Sequence, residues 1–132
     1  MTARGRRRPR ASVVPIDSFT GAIGSPLFTG EFPGKLALSE DRHYLYVGLY
    51  AGKAVQRIEF DTLVPDLRFS LGIDPRFGPR GLTDLEAVPG SPASVAVAAS
   101  NGGPFERVAI YDNDVERPQM FGRRPPAAVT SR

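Results

Sequence analysis

The amino-acid sequence predicts an all-β fold: a partial β-propeller of two four-stranded antiparallel blades plus a preceding half blade, with disordered tails. Three observations carry that expectation. Residues 33–48, PGKLALSEDRHYLYVG, read as two short strands around a tight polar turn, the second rich in aromatic and β-branched side chains. A similar hairpin returns fifty residues later, with Leu38 matching Val88 and Leu45-Tyr46-Val47 matching Val95-Ala96-Val97. Three segments also end a strand alike, Val-Val-Pro-Ile-Asp17, Val-Gln-Arg-Ile-Glu-Phe-Asp61 and Val-Ala-Ile-Tyr-Asp112, their aspartates 44 and 51 residues apart. A β-sandwich spaces its strands by about 8 to 12 residues and does not require like strands to recur at this longer period.

The elements follow in order. Residues 1–11 are Arg-rich with almost no apolar content, which predicts a disordered tail. Residues 12–30 form the half blade: a short strand at 12–17, whose Pro15 lacks an amide donor and suits an edge, then turn residues and a return strand at 26–29. The first full blade spans 33–72, with strands at 35–39, 44–49, 54–60 and 67–71. Its second strand is apolar throughout, as for a strand covered on both faces. Its fourth alternates, with Leu67, Phe69 and Leu71 on one face and Arg68 and Ser70 on the other. Residues 73–81 read as a loop. The second blade spans 82–121, with strands at 82–88, 94–99, 107–111 and a fading fourth at 115–120. Residues 122–132, rich in Arg, Pro and Ala, are expected to be disordered.

Residues 36–47 resemble the strand–turn–strand core of the YVTN-type repeat of bacterial seven-bladed propellers, with Tyr46-Val47 at its hallmark Tyr-Val. Gly48-Leu49 departs from the usual Thr-Asn. The run Asp84-Leu85-Glu86, Pro89-Gly90-Ser91-Pro92, Val95-Ala96-Val97, Val108 to Asp112 and Arg117-Pro118 is similar to a blade type of large secreted or surface-associated bacterial propeller proteins. The resemblance implies a non-enzymatic repeat segment that scaffolds interactions with a protein or glycan. Its alternative is a fragment of a propeller enzyme, a lactonase-like hydrolase or a cofactor-dependent dehydrogenase, although no catalytic residue of those families has a counterpart here. A secreted or surface location is likewise implied by the resemblance alone.

Charge narrows the function classes. Residues 11–122 hold nine basic and fourteen acidic side chains, a net of −5, while the two tails carry +8. A nucleic-acid surface interleaves basic with aromatic or hydrogen-bonding groups on folded structure, so the body is expected not to bind nucleic acid. A polyanion-binding arm at residues 1–10 would show strongly salt-dependent binding lost on their deletion. No apolar run approaches the roughly 18 residues of a membrane helix, and the Arg-rich start lacks the apolar stretch of a secretory signal. Without cysteine there is neither a disulfide nor a thiolate metal site.

Few residues suggest chemistry, and no catalytic residue or cofactor is assigned. The one histidine, His43, sits in a polar turn, and no serine lies in a Gly-x-Ser-x-Gly elbow. Asp112, Asp114 and Glu116 alternate as calcium ligands would, but position six of such a loop is Arg117 and position twelve Arg123, so a hairpin turn is the preferred reading. Arg76, Phe77 and Arg80 in the 73–81 loop are candidates for a ligand surface. A flat blade face of roughly 300 Å² left uncovered forgoes about 8 kcal/mol of burial. The expected partners are therefore additional blades, from a longer reading frame or from copies of the chain, with the abrupt Arg/Pro ends favouring the longer frame.

Overall fold

The computed structural model describes residues 11–30, 32–51, 53–76, 78–100 and 107–118. The expected disorder of residues 1–10 and 122–132 lies outside them, as do Phe77 and residues 119–121 of the second expected blade. Ala11, assigned to the tail, instead accepts backbone hydrogen bonds from Thr29 and Gly30 (2.8 and 3.0 Å). Among the described residues no helix is long and apolar enough to cross a membrane.

The fold is all-β, and its two large sheets are antiparallel and four-stranded. A short ladder, β1 (Ser12–Val13) with β2 (Leu27–Phe28), precedes them. Ile16 and Ile23 add only an isolated bridge, so the strand expected over 12–17 breaks at Pro15, which has no amide to donate. The first large sheet runs in sequence order through β3 (Pro33–Leu38), β4 (Tyr44–Leu49), β5 (Ala54–Glu59) and β6 (Val64–Ser70). β6 begins earlier than its alternating pattern suggests and includes Pro65, tolerated on an edge strand beside a register shift at Arg57/Ile58. Residues 73–81, expected as a loop, form a small ladder of β7 (Ile73–Asp74) with β8 (Gly78–Pro79). The second large sheet contains β9 (Gly81–Ala87), β10 (Ser94–Ser100), β11 (Arg107–Asp112) and β12 (Val115–Glu116), again in sequence order.

Register makes the repeat specific. Leu45 pairs with Leu38 and Ile58, and Val95 pairs with Ala87 and Tyr111. The second strands therefore keep the fifty-residue offset, but Leu38 matches Ala87 and not Val88, because the second turn is one residue longer. The aspartate signal also shifts. Asp112 faces Ser94 as Glu59 faces Tyr44, so Asp112 corresponds to Glu59, while Asp61 lies in the turn beyond β5.

Packing repeats in the same sense. Leu45, Val47, Leu49 and Ile58 form a cluster with Val13 and Leu27 of the short ladder. Their counterparts Val95, Val97, Ala99 and Tyr111 belong to a second cluster shared with Tyr46, Val55, Phe69 and Leu71 on the opposite face of the first sheet. The sheets thus face the same way, each turning its equivalent side toward the chain's N-terminal end. A sandwich of two sheets would point equivalent sides at one another.

Candidate functional site

Two surfaces hold the polar and apolar groups that could serve a partner: the seam that joins the sheets, and the outer face of the second sheet. At the seam, the Ser39 hydroxyl accepts the amides of His43 and Tyr44 (3.1 and 3.0 Å) and donates to Asp41 (2.8 Å), closing the β3–β4 turn. The His43 amide and the Ser39 hydroxyl hold the Asp41 carboxyl below its ordinary value. That turn reaches the next sheet, where Glu40 accepts the Gly90 amide (2.6 Å). Nearby the buried Tyr46 donates its hydroxyl to the Pro92 carbonyl (2.7 Å). Burial pushes this phenol up, partly opposed by the neighbouring Arg57.

Arg57 is the centre of the seam. Its guanidinium lies 4.0 Å from the centroid of the Tyr44 ring, grips Asp66 through two nitrogens (3.1 and 3.0 Å), and donates to Asn113 Oδ1 of the second sheet (2.8 Å). Burial alone would lower its pKa; the hydrogen bonds to Asp66 and Tyr46 outweigh that and raise it. Such a forked, stacked contact suits arginine and not lysine. With its donors engaged inside the protein, Arg57 is a clamp between sheets. Sequence reading passed over it, although a charged residue in the middle of an apolar strand is the signal that could have found it.

Asp112, Asp114 and Glu116 do not converge on one point. Asp112 accepts two hydrogen bonds from Arg117 (2.9 and 2.7 Å) and one from Ser94 (2.5 Å). Those donors depress its carboxyl to about 2. Glu116 pairs with Arg107 instead, and Asp114 stands exposed in a two-residue hairpin turn with Asn113, whose φ is 57°. Among the described residues no group of three or more histidines, aspartates or glutamates is placed to hold a metal ion.

Arg80 of the small β7–β8 ladder folds back onto Asp74 (3.5 Å) and is only 19% exposed, so little of it faces solvent. Arg76 lies exposed at the tip. Exposed His43 packs against Tyr44 at a tilt of 42°, ring centroids 4.3 Å apart. The outer face of the second sheet holds a shallow depression of about 120 Å³, lined by Ala96, Ala98 and Val108 and rimmed by Asp84 and Glu86.

Neither protein-family models nor curated protein sequences match the chain. Solved structures do. The chain is similar to Kuenenia stuttgartiensis hydrazine synthase with a TM-score of 0.64 and 18% identity, over 77% of this chain and 26% of that one. The chain thus spans about a quarter of that neighbour's length, and the likeness concerns the fold.

Proposed function

We propose that the chain is a β-propeller segment, its two large sheets successive blades and the β1–β2 ladder part of another, serving as a scaffold that presents turns to a protein or glycan. One observation carries the reading: two sheets of the same strand order stack with equivalent faces pointing the same way. Radial repetition has that property. The YVTN-type kinship belongs to the same proposal, with Tyr46-Val47 in the middle of a buried strand. Of the two loop arginines, Arg76 lies exposed at the tip of the small ladder and Arg80 is mostly covered, so Arg76 is the one presented to a partner.

A second reading, a fragment of a propeller enzyme, has one point in its favour: the structural neighbour is by its title a synthase. At 18% identity that title does not transfer an activity, and the scaffold reading stands first.

The test is the rotation between the sheets, measured on the full chain by residual dipolar couplings. Four to eight blades about one axis require roughly 45 to 90° between neighbours in a single rotational sense. An angle near −30° with the two sheets turned face to face would make the fold a sandwich and end the proposal.

A further inference from the structure

The second sheet's outer face repeats, position for position, the face by which the first sheet receives its neighbour, but with different side chains. Tyr46 corresponds to Ala96, Gly48 to Ala98 and Arg57 to Ile110. In the first sheet these positions bring a phenol to Pro92, a guanidinium to Asn113 and close approach of Leu82. In the second they leave a low floor of Ala96, Ala98 and Val108, the last 58% exposed, beside the carboxylates of Asp84 and Glu86, with no tyrosine or arginine at the matching positions to engage a partner's polar groups. Where Tyr46 fills space in one sheet, Ala96 lines a depression in the other. An enclosed apolar cavity of roughly 150 Å³ takes up benzene whole; this depression of about 120 Å³ is open to solvent and offers a ring a partial seat beside Ala96.

The chain carries such rings at its other end. Val13 and Leu27 of the β1–β2 ladder pack inward, while Ile16, Phe19, Ile23 and Phe28 stand 64 to 97% exposed. Charge agrees with size. Asp84 and Glu86 rim the depression; Asp84 is already paired with Lys35 at 3.9 Å, so Glu86 is the carboxylate offered to the five arginines that the sequence places in the ten residues before Ala11.

We propose that the outer face of the second sheet is the docking site for a second copy of this chain, which inserts Phe28 or Phe19 of its β1–β2 end over Ala96 and Ala98. The contact is heterologous: one end of each copy meets the other end of the next, so association closes a ring or grows. It rests on the stacked-sheet reading above and names the occupant of the face that reading leaves open.

The experiment is sedimentation velocity on the full chain from roughly 1 to 200 µM, covering the affinities of modest interfaces. The wild-type chain is expected to associate with rising concentration. Ala98→Arg, which fills the depression, and the double change Phe19→Ser/Phe28→Ser are each expected to weaken association at least about tenfold. At a concentration where every chain is monomeric, their far-UV circular dichroism and melting should match those of the wild type, because association itself raises a melting temperature. Mixing the two variants leaves one intact junction, so heterodimers form and nothing larger. Glu86→Lys should weaken association more at low salt than at high salt. A wild-type chain monomeric throughout, association unmoved by Ala98→Arg, or a mixture that stays monomeric would each overturn the docking proposal. The inter-sheet rotation would still decide the propeller reading by itself.

Discussion

The two large sheets share a strand order and differ in what covers them. The first lies between the β1–β2 ladder and the second sheet, and its β4 is buried from Leu45 to Leu49. Among the described residues the second is covered on one side only: Val95, Val97 and Ala99 are buried, whereas Ala96 and Ala98 between them are partly open. Position 48 condenses the difference. A Cβ on Gly48 would come within 2.8 Å of Leu82 of the next sheet, while its counterpart Ala98 carries a Cβ onto an open surface. Side-chain size thus follows the presence of a neighbour, and strand propensity alone does not distinguish the two sheets.

Truncation should show the largest contrast. Ile58→Ala in the doubly covered sheet is expected to destabilise by about 2 to 5 kcal/mol, against about 0.5 kcal/mol or less for Val108→Ala on the open face. Denaturant midpoints measured at a concentration where the chain is monomeric read both. Equal losses would mean the two sheets are covered alike.

Enlargement is the converse and somewhat smaller. Gly48→Val should cost about 1 to 3 kcal/mol, because Leu82 must move aside and β-branching lies against the next sheet. Ala98→Val should leave monomer stability within about 0.5 kcal/mol. If Gly48→Val proved silent, the sheets would not be in close register at that point.

The smallest effect concerns the corner where Asp112 meets Ser94 and Arg117, a place occupied by Glu59 opposite Tyr44 in the first sheet. Asp112 is depressed to about 2 from an ordinary 3.8. A lowered folded-state value means its stabilisation is fully present above about pH 4 and is lost as pH falls through about 2. A carboxyl-carbon NMR titration should place the midpoint near 2, and Arg117→Ala should raise it. A wild-type midpoint near 3.8 would show that the guanidinium contact does not form in solution.

Much of this architecture was legible. The buried β4 announced itself by an unbroken apolar run, and β6 by the alternation of Leu67, Phe69 and Leu71. The β7–β8 ladder was missed because a pair of two-residue strands around Pro75 and Pro79 has no period to detect. The likeness of Asp61 and Asp112 misled because an acid at a strand end is a chemical similarity, whereas equivalence is set by cross-strand register. Of the candidate site residues, Arg80 and Asp112 proved committed to Asp74 and to Arg117 by ion pairs that spacing does not encode.

What the residues determined alone is local: where strands run, where Ser39 and Asn113 turn the chain, and that similar hairpins recur about fifty positions apart, because these depend on side-chain period and backbone conformation within a few residues. Which face of each sheet is covered among the described residues, and how Arg57 reaches Asn113 across 56 positions, were decided only by the packed chain. Burial and long-range hydrogen bonds depend on what another part of the molecule brings near, and that distance is not written in any single segment.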